Sequence, residues 1–124
     1  MKAAILVLAD PQSGSDEANA RVLNALVSAY DFKQRGSDVK VLFLGAGSRW
    51  PRVLANKEHP SHEMYEQVKD KVDGVSCGCA EAFGVTDEVK NCGLDLKTEL
   101  AIPGTSGVAS VGNLVADGYS VLSF

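Results

Sequence analysis

The chain has 124 residues, a length that fits a single domain spanning residues 1–124, because one core of usable size can form but two cannot. Its composition, 45% hydrophobic and 23% charged, is typical of a folded globular protein and excludes a disordered or fibrous one. The formal net charge of −4 argues against sequence-independent nucleic-acid binding, which depends on basic residues that neutralise phosphates. We therefore expect no nucleic-acid partner.

The first apolar segment, residues 3–9, is continuously hydrophobic and ends at Asp10 and Pro11. It is much shorter than the roughly 20 apolar residues of a membrane span, and it lacks a secretory cleavage pattern. We therefore expect a cytoplasmic protein with no membrane partner. A continuous apolar run of this length is typical of a central strand that helices cover on both faces.

A long helix and a second strand follow. Ser15 is placed to cap the helix, and a stripe of apolar residues at helical spacing leads to Gly36, which is suited to end it. Residues 39–44 form another short apolar run. A strand, a long helix and a strand in this order predict a right-handed crossover between parallel neighbours. The sequence thus predicts an α/β fold, with three α/β/α layers around a mainly parallel sheet of about five strands.

The later part of the chain continues the pattern with shorter elements. Residues 85–96 are polar and give no assignment. The segments expected here are an exit turn at 45–48, a short helix or loop at 49–51, a helix from Ser61 to Gly74, a third strand at Val75-Ser76, a helical stretch to Phe83, a fourth strand at 100–102, a helix at 108–115 and a final strand at 119–124.

The cysteines are the best candidates for chemistry. An odd count of three, in a chain without an export signal, favours reduced thiols. Cys77 and Cys79 fall where the third strand ends and a helix begins; the first turn of a helix favours a thiolate, and Gly78 would let a reactant approach. The competing interpretation is that both thiols only fill space in the core. Because a disulfide between them would be strained, Cys92 or an external thiol is the expected resolving partner, although Cys92 also fits an incidental loop position.

Other polar residues offer alternatives. His59 and His62 could join the two cysteines in a zinc site, or one histidine could assist thiol ionisation, but the residues between them also fit the entry to a helix. Gly104–Gly107 predicts either an anion-binding nest or a capping turn. Gly45–Gly47 is not a dinucleotide fingerprint, because Trp50 stands where the third glycine belongs. We predict no resident cofactor and no metal.

Two segments carry a resemblance to a known family, Cys77–Gly84 and Val111–Tyr119. On these segments the chain resembles the DsrE/DsrF-like family over nearly its full length. Asp16–Ala20 fits the first helix of that family. Many relatives carry a Cys-Gly-Thr-Cys motif shortly before a glycine, and here the motif is shortened by one residue. Cys79 matches the second cysteine by its distance to that glycine, whereas Cys77 only approximates the first.

The resemblance implies sulfur relay, in which a cysteine accepts sulfane sulfur as a persulfide and passes it on, and it implies trimers or hexamers. Our main hypothesis is a sulfur carrier or sulfurtransferase-like protein with Cys79 as the preferred acceptor and Cys77 as the second candidate, which exchanges sulfur with donor and acceptor proteins. The alternatives are a non-enzymatic module that binds a small ligand and a metal-binding or thiol-redox module of the same fold. The sequence leaves open whether the chain is an enzyme.

Overall fold

A computed structural model describes all residues from 1 to 124. The strands are β1 Lys2–Val7, β2 Asp38–Phe43, β3 Val72–Ser76, β4 Leu96–Lys97 and β5 Ser120–Ser123. The helices are α1 Asp16–Gln34, α2 Trp50–Ala55, α3 His62–Val68, α4 Cys77–Ala82, α5 Thr86–Asn91 and α6 Val111–Ala116, with 3-10 turns at Pro11–Ser13, Gly45–Arg49 and Lys69–Lys71. None of these helices combines the length and the apolar character needed to cross a bilayer.

The five strands form one sheet in the order β4-β3-β2-β1-β5, and every neighbouring pair is parallel. β1 lies inside the sheet, in register with β2 through pairs such as Ile5 with Val41 and with β5 through Ile5 with Leu122. The predicted α/β class with a five-stranded parallel sheet is confirmed. Parallel strands need long crossovers, and the helices provide them.

The sheet is covered on both faces, which explains why β1 is apolar at every position from Ala3 to Val7. Ile5 and Val41 belong to the larger core cluster, which packs against α1 to α5, whereas Leu6 and Leu42 belong to a smaller cluster with α6. Successive side chains of a strand point to opposite faces, so a strand buried on both faces shows no alternation. The three-layer arrangement follows from this division.

The ends of α1 agree with the sequence. The Ser15 hydroxyl accepts a hydrogen bond from the Ala18 N–H at 3.1 Å, as expected of an N-cap. After the helix ends at Gln34, Gly36 adopts φ of +73°, a left-handed conformation that suits glycine. Both signals are local, and both predictions are confirmed.

The predicted helix from Ser61 to Gly74 is wrong in its second half. α3 ends at Val68, and β3 begins at Val72, which pairs with Val41 of β2. Gly74 lies inside the strand, where an added Cβ would come within 2.6 Å of the Asp95 carbonyl oxygen. The glycine therefore permits close approach of the neighbouring chain, and sheet pairing overrides the helical pattern.

The predicted fourth strand at 100–102 is also wrong. β4 is the shorter pair Leu96–Lys97, and the segment before it, which gave no assignment, contains α5. Leu100 instead pairs with Val108 through an isolated antiparallel bridge. We call residues 98–110, which this bridge closes into a hairpin-like excursion, the 98–110 loop.

Candidate functional site around the cysteines of α4

α4 begins where β3 ends, so Cys77 and Cys79 occupy the first turn of this helix at the carboxyl edge of the sheet. The turn Gly45–Arg49 after β2 packs against the helix from one side, and the 98–110 loop from another. The hydroxyl of Ser76 does not cap α4; it accepts a hydrogen bond from the Ala109 N–H at 3.1 Å. The junction lies where the sequence predicted it, but a distant loop covers part of it.

The two thiols have different surroundings. Cys77 is only 6% exposed, and burial raises its pKa; the nearby charge of Glu81 raises it further, whereas Lys90 acts in the opposite direction. Burial therefore opposes ionisation of Cys77, although this residue lies in the first turn of the helix. Cys79 is half-buried and keeps access to solvent. Side chains two positions apart on a helix do not face each other, so the thiols do not form a pair.

Gly78 is required for packing. A Cβ on this residue would lie 2.8 Å from the Val108 Cγ1 and 3.3 Å from the Gly107 carbonyl oxygen. The Gly78 N–H donates a hydrogen bond to that same oxygen at 2.8 Å. The space that we expected a reactant to use is filled by the 98–110 loop, so this expectation is wrong.

The segment Gly104–Gly107 does bind an anion, and the anion belongs to the chain itself. The Glu81 carboxylate accepts hydrogen bonds from the Ser106 N–H at 3.0 Å and from the Ser106 hydroxyl at 2.7 Å. These bonds lower the pKa of Glu81 below its ordinary value. One backbone N–H and one hydroxyl hold the carboxylate, not the successive N–H groups of a nest, and the contact ties the 98–110 loop to α4.

This tie is expected to depend on pH. Because the pKa of Glu81 is lowered in the folded protein, the contact is present at neutral pH and is lost as the pH falls through that lowered value, in the acid range below the ordinary pKa of a glutamate. The exchange of the Ser106 amide proton with solvent, followed by NMR, should accelerate across that range beyond its intrinsic dependence on pH. Glu81→Gln should show the faster exchange already at neutral pH. Equal protection of the amide in both proteins at pH 7 would contradict this.

The histidines serve local structure. The His59 Nδ1 accepts a hydrogen bond from the Ser61 N–H at 3.1 Å. The His59 ring packs edge-on against Trp50, with the two ring centres 6.0 Å apart. The His62 Nδ1 lies 2.7 Å from the Leu54 carbonyl oxygen. No group of three or more His, Cys, Asp or Glu side chains is arranged to hold a metal ion. The four-ligand site considered from the sequence does not form.

Cys92 closes α5, one helical turn beyond Glu88, and burial raises its pKa. All three cysteines are free thiols. Because thiolates are the reactive form, we expect iodoacetamide at pH 7.5 to label Cys79 first and Cys77 at least about tenfold more slowly. Peptide mass spectrometry after timed quenching measures each rate, with the urea-unfolded chain as the control in which all three sites react alike. Faster labelling of Cys77 than of Cys79 would contradict the order.

A cleft opens beside the C-terminal end of α4. Its walls include Arg49, Arg52 and Val53 from the segment around α2, and Phe83 and Glu88 from the segment around α5. We call this cavity, which has a volume of about 620 Å³, the arginine cleft. The carboxylate partners of both arginines, Asp10 and Glu88, lie far from them along the chain.

The fold and the thiol motif together define a class of small parallel α/β proteins that carry a cysteine motif after the third strand. Within this class, the model of the DsrE/DsrF-like family matches residues 1–124, and the chain belongs to that family.

Two comparisons describe similar proteins. An uncharacterised protein of Methanocaldococcus jannaschii is 34% identical to this chain over 70 residues. The match spans 56% of this chain and 56% of that protein, so it covers about half the length of each. Among solved structures, a conserved protein of unknown function from Bacteroides thetaiotaomicron superimposes with a TM-score of 0.61 over 98% of this chain and 94% of that chain, at 19% identity. The second likeness shows the fold alone.

Proposed function

We propose that the chain is a sulfur carrier or sulfurtransferase-like protein of intracellular sulfur relay, in which Cys79 accepts sulfane sulfur as a persulfide. Membership of the DsrE/DsrF-like family suggests a role of this type. The observation that carries the choice of residue is the contrast in exposure within one helical turn, since Cys79 is half-buried and Cys77 is sealed. Cys77, the second candidate of the motif, fits a packing role better.

The transfer needs no cofactor in its simplest form. The Cys79 thiolate attacks the outer sulfur of a donor persulfide, R–S–SH, and the S–S bond of the donor breaks. The products are a Cys79 persulfide and the donor thiolate, so one sulfur atom moves and no external oxidant or reductant is needed. An acceptor thiolate then removes the outer sulfur from Cys79 by the same exchange. The role of the protein is to hold the thiol within reach of both partners.

Mass spectrometry tests this function directly. The reduced protein is incubated with a sulfane-sulfur donor, and the peptide that contains Cys79 is examined for the addition of one sulfur atom that dithiothreitol removes. We expect addition at Cys79. If no sulfur reaches Cys79 under conditions that load a known sulfur carrier, the proposal is wrong.

We also propose that the chain assembles into trimers or hexamers and exchanges sulfur with donor and acceptor proteins inside the cell. Exposed apolar side chains on the 98–110 loop and on α6 support an interface between copies, among them Leu100, Ile102 and Val115. Light scattering during size-exclusion chromatography should give a mass of three or six chains. A monomer at micromolar concentration would contradict the assembly and leave the sulfur chemistry untouched.

A further inference from the structure

The arginine cleft contains hydrogen-bond donors that the fold leaves unused. The Arg49 side chain is 23% exposed, and only its Nη1 contacts Asp10, at 3.1 and 3.2 Å from the two carboxylate oxygens. The Nε and Nη2 of Arg49 make no hydrogen bond within the chain, and neither atom is sealed from solvent. A mostly buried guanidinium with one complete donor edge free is suited to accept a carboxylate in the two-bond geometry.

Neighbouring residues hold this donor edge in place. The guanidinium carbon of Arg49 lies 4.8 Å from the centre of the Phe83 ring, so the planar group rests on an aromatic face. Asp10 fixes the opposite edge. The direction of the free Nε and Nη2 atoms is therefore set before a ligand arrives, which reduces the entropy lost on binding.

Arg52 provides a second guanidinium on the same cleft. Its Nη1 donates to the Glu88 carboxylate at 2.9 Å, and its other nitrogens make no hydrogen bond within the chain. Each arginine is thus neutralised by one carboxylate, and the cleft has little net charge. This balance favours a ligand with one carboxylate over a polyphosphate, and a volume of about 620 Å³ is within the range of small-molecule sites.

Cys79, the proposed sulfur acceptor, does not line the cleft but lies one helical turn before Phe83, which does. The Phe83 N–H donates to the Cys79 carbonyl oxygen at 3.0 Å, so the helical turn continues from one residue to the other. Side chains four positions apart on a helix lie on the same face with their Cβ atoms about 6 Å apart. A molecule of amino-acid size that is held by its carboxylate near Arg49 and Phe83 can therefore bring its other end to Cys79.

We propose that the arginine cleft binds the carboxylate of a low-molecular-weight persulfide donor and presents the outer sulfur of that donor to Cys79. The assignment rests on the proposed sulfur-carrier function. Arg49 and Phe83 act as positioning residues, and Arg52 is a second contact for the carboxylate. The transfer is the exchange described above, in which the outer sulfur moves to Cys79 and the small thiolate leaves.

A pair of matched donors tests the assignment. N-acetylcysteine persulfide has a carboxylate where the persulfide of N-acetylcysteine amide has a neutral carboxamide. The initial rate of sulfur addition to Cys79 is measured for both donors. The ratio of the two rates is then divided by the same ratio measured with a free peptide thiol, which corrects for the intrinsic reactivities of the donors. We expect the carboxylate donor to react about tenfold faster, because charge-assisted hydrogen bonds hold it. Arg49→Gln should remove this preference, and Arg52→Gln should reduce it.

Two further variants show whether a lost donor preference is specific to the cleft. Arg21→Gln, on the outer surface of α1, removes a guanidinium that pairs only with Glu17 and should keep the preference. Arg52 is 72% exposed, so its substitution leaves the core intact and remains informative if Arg49→Gln folds poorly. Circular dichroism checks the fold of each variant.

A binding measurement separates the two proposals. N-acetyl-S-methylcysteine, which carries the carboxylate but cannot transfer sulfur, is titrated into Cys79→Ser while the NMR signals of the Phe83 ring and the Arg49 Nε–H are followed. Shifts with this compound and none with its amide support the carboxylate site, even if no donor loads Cys79 and the carrier function fails. If Cys79 accepts sulfur equally from both donors and the titration shows no shift, the site assignment is overturned and the carrier function stands.

Discussion

Replacing Cys79 by serine is expected to reduce persulfide formation by at least about a hundredfold, because a hydroxyl is a far weaker nucleophile than a thiolate. Cys77→Ala should load sulfur at close to the wild-type rate, since this buried thiol contacts the core and not the solvent. The measurement is the initial rate of sulfur addition to each variant from the same donor, followed by intact mass spectrometry. Cys92→Ser provides a third comparison at a thiol outside α4.

The opposite pattern would reverse the assignment. If Cys77→Ala loses sulfur loading while Cys79→Ser retains it, the acceptor is the buried cysteine and α4 must open during the reaction. Thermal unfolding of each variant shows whether a loss reflects chemistry or misfolding. A loss in both single variants, with both folded, would mean that the two thiols act together, contrary to their separate environments.

Replacing Gly47 by alanine is expected to destabilise the fold by on the order of 3 kcal/mol, the largest effect on stability that we predict for a single methyl group. An added Cβ would overlap the Val7 carbonyl oxygen and lie 2.8 Å from the Val7 carbonyl carbon. That oxygen accepts the Leu44 N–H at 3.0 Å and belongs to the central strand, so it cannot move away without disturbing the sheet. Urea unfolding measures the loss.

Gly112→Ala is the matched control. Gly112 lies within α6, and an added Cβ would meet only the Ser110 hydroxyl at an ordinary 3.7 Å. Since alanine is favoured over glycine in a helix, this variant should be more stable by about 0.5 to 1 kcal/mol. If the two alanine variants had equal stability, the close contact at Gly47 would not control the fold.

The parts of the fold that the sequence predicts are those with local causes. The continuous hydrophobicity of residues 3–9, the cap at Ser15 and the stop at Gly36 each report the environment of their own segment. The errors arose where distant pairing decides the structure. The pairing of Val72 with Val41 makes β3 begin earlier in the chain than the sequence predicts. Position 74 requires a glycine because residues around β4 approach it closely, and not because a helix ends there.

The same distinction between local and distant causes applies to the candidate site. The position of Cys77 and Cys79 after a strand is visible in the sequence, because the motif and the helix that follows are contiguous. The burial of the Cys77 region cannot be predicted locally, since Gly107 and Val108 of a distant loop pack on the neighbouring Gly78. The arginine cleft is likewise invisible to local patterns, because Arg49 pairs with Asp10 from another crossover.

The positions of the two cysteines on α4 have a consequence for the lifetime of any cargo. At 100° per residue, side chains two positions apart point about 200° apart around the helix axis, so Cys77 cannot attack a persulfide on Cys79 unless the helix unwinds. If Cys79 carries a persulfide as proposed, Cys77 therefore offers no internal route to expel hydrogen sulfide and close an unproductive disulfide. Release of the sulfur would then require a thiol from another molecule or from elsewhere in the fold.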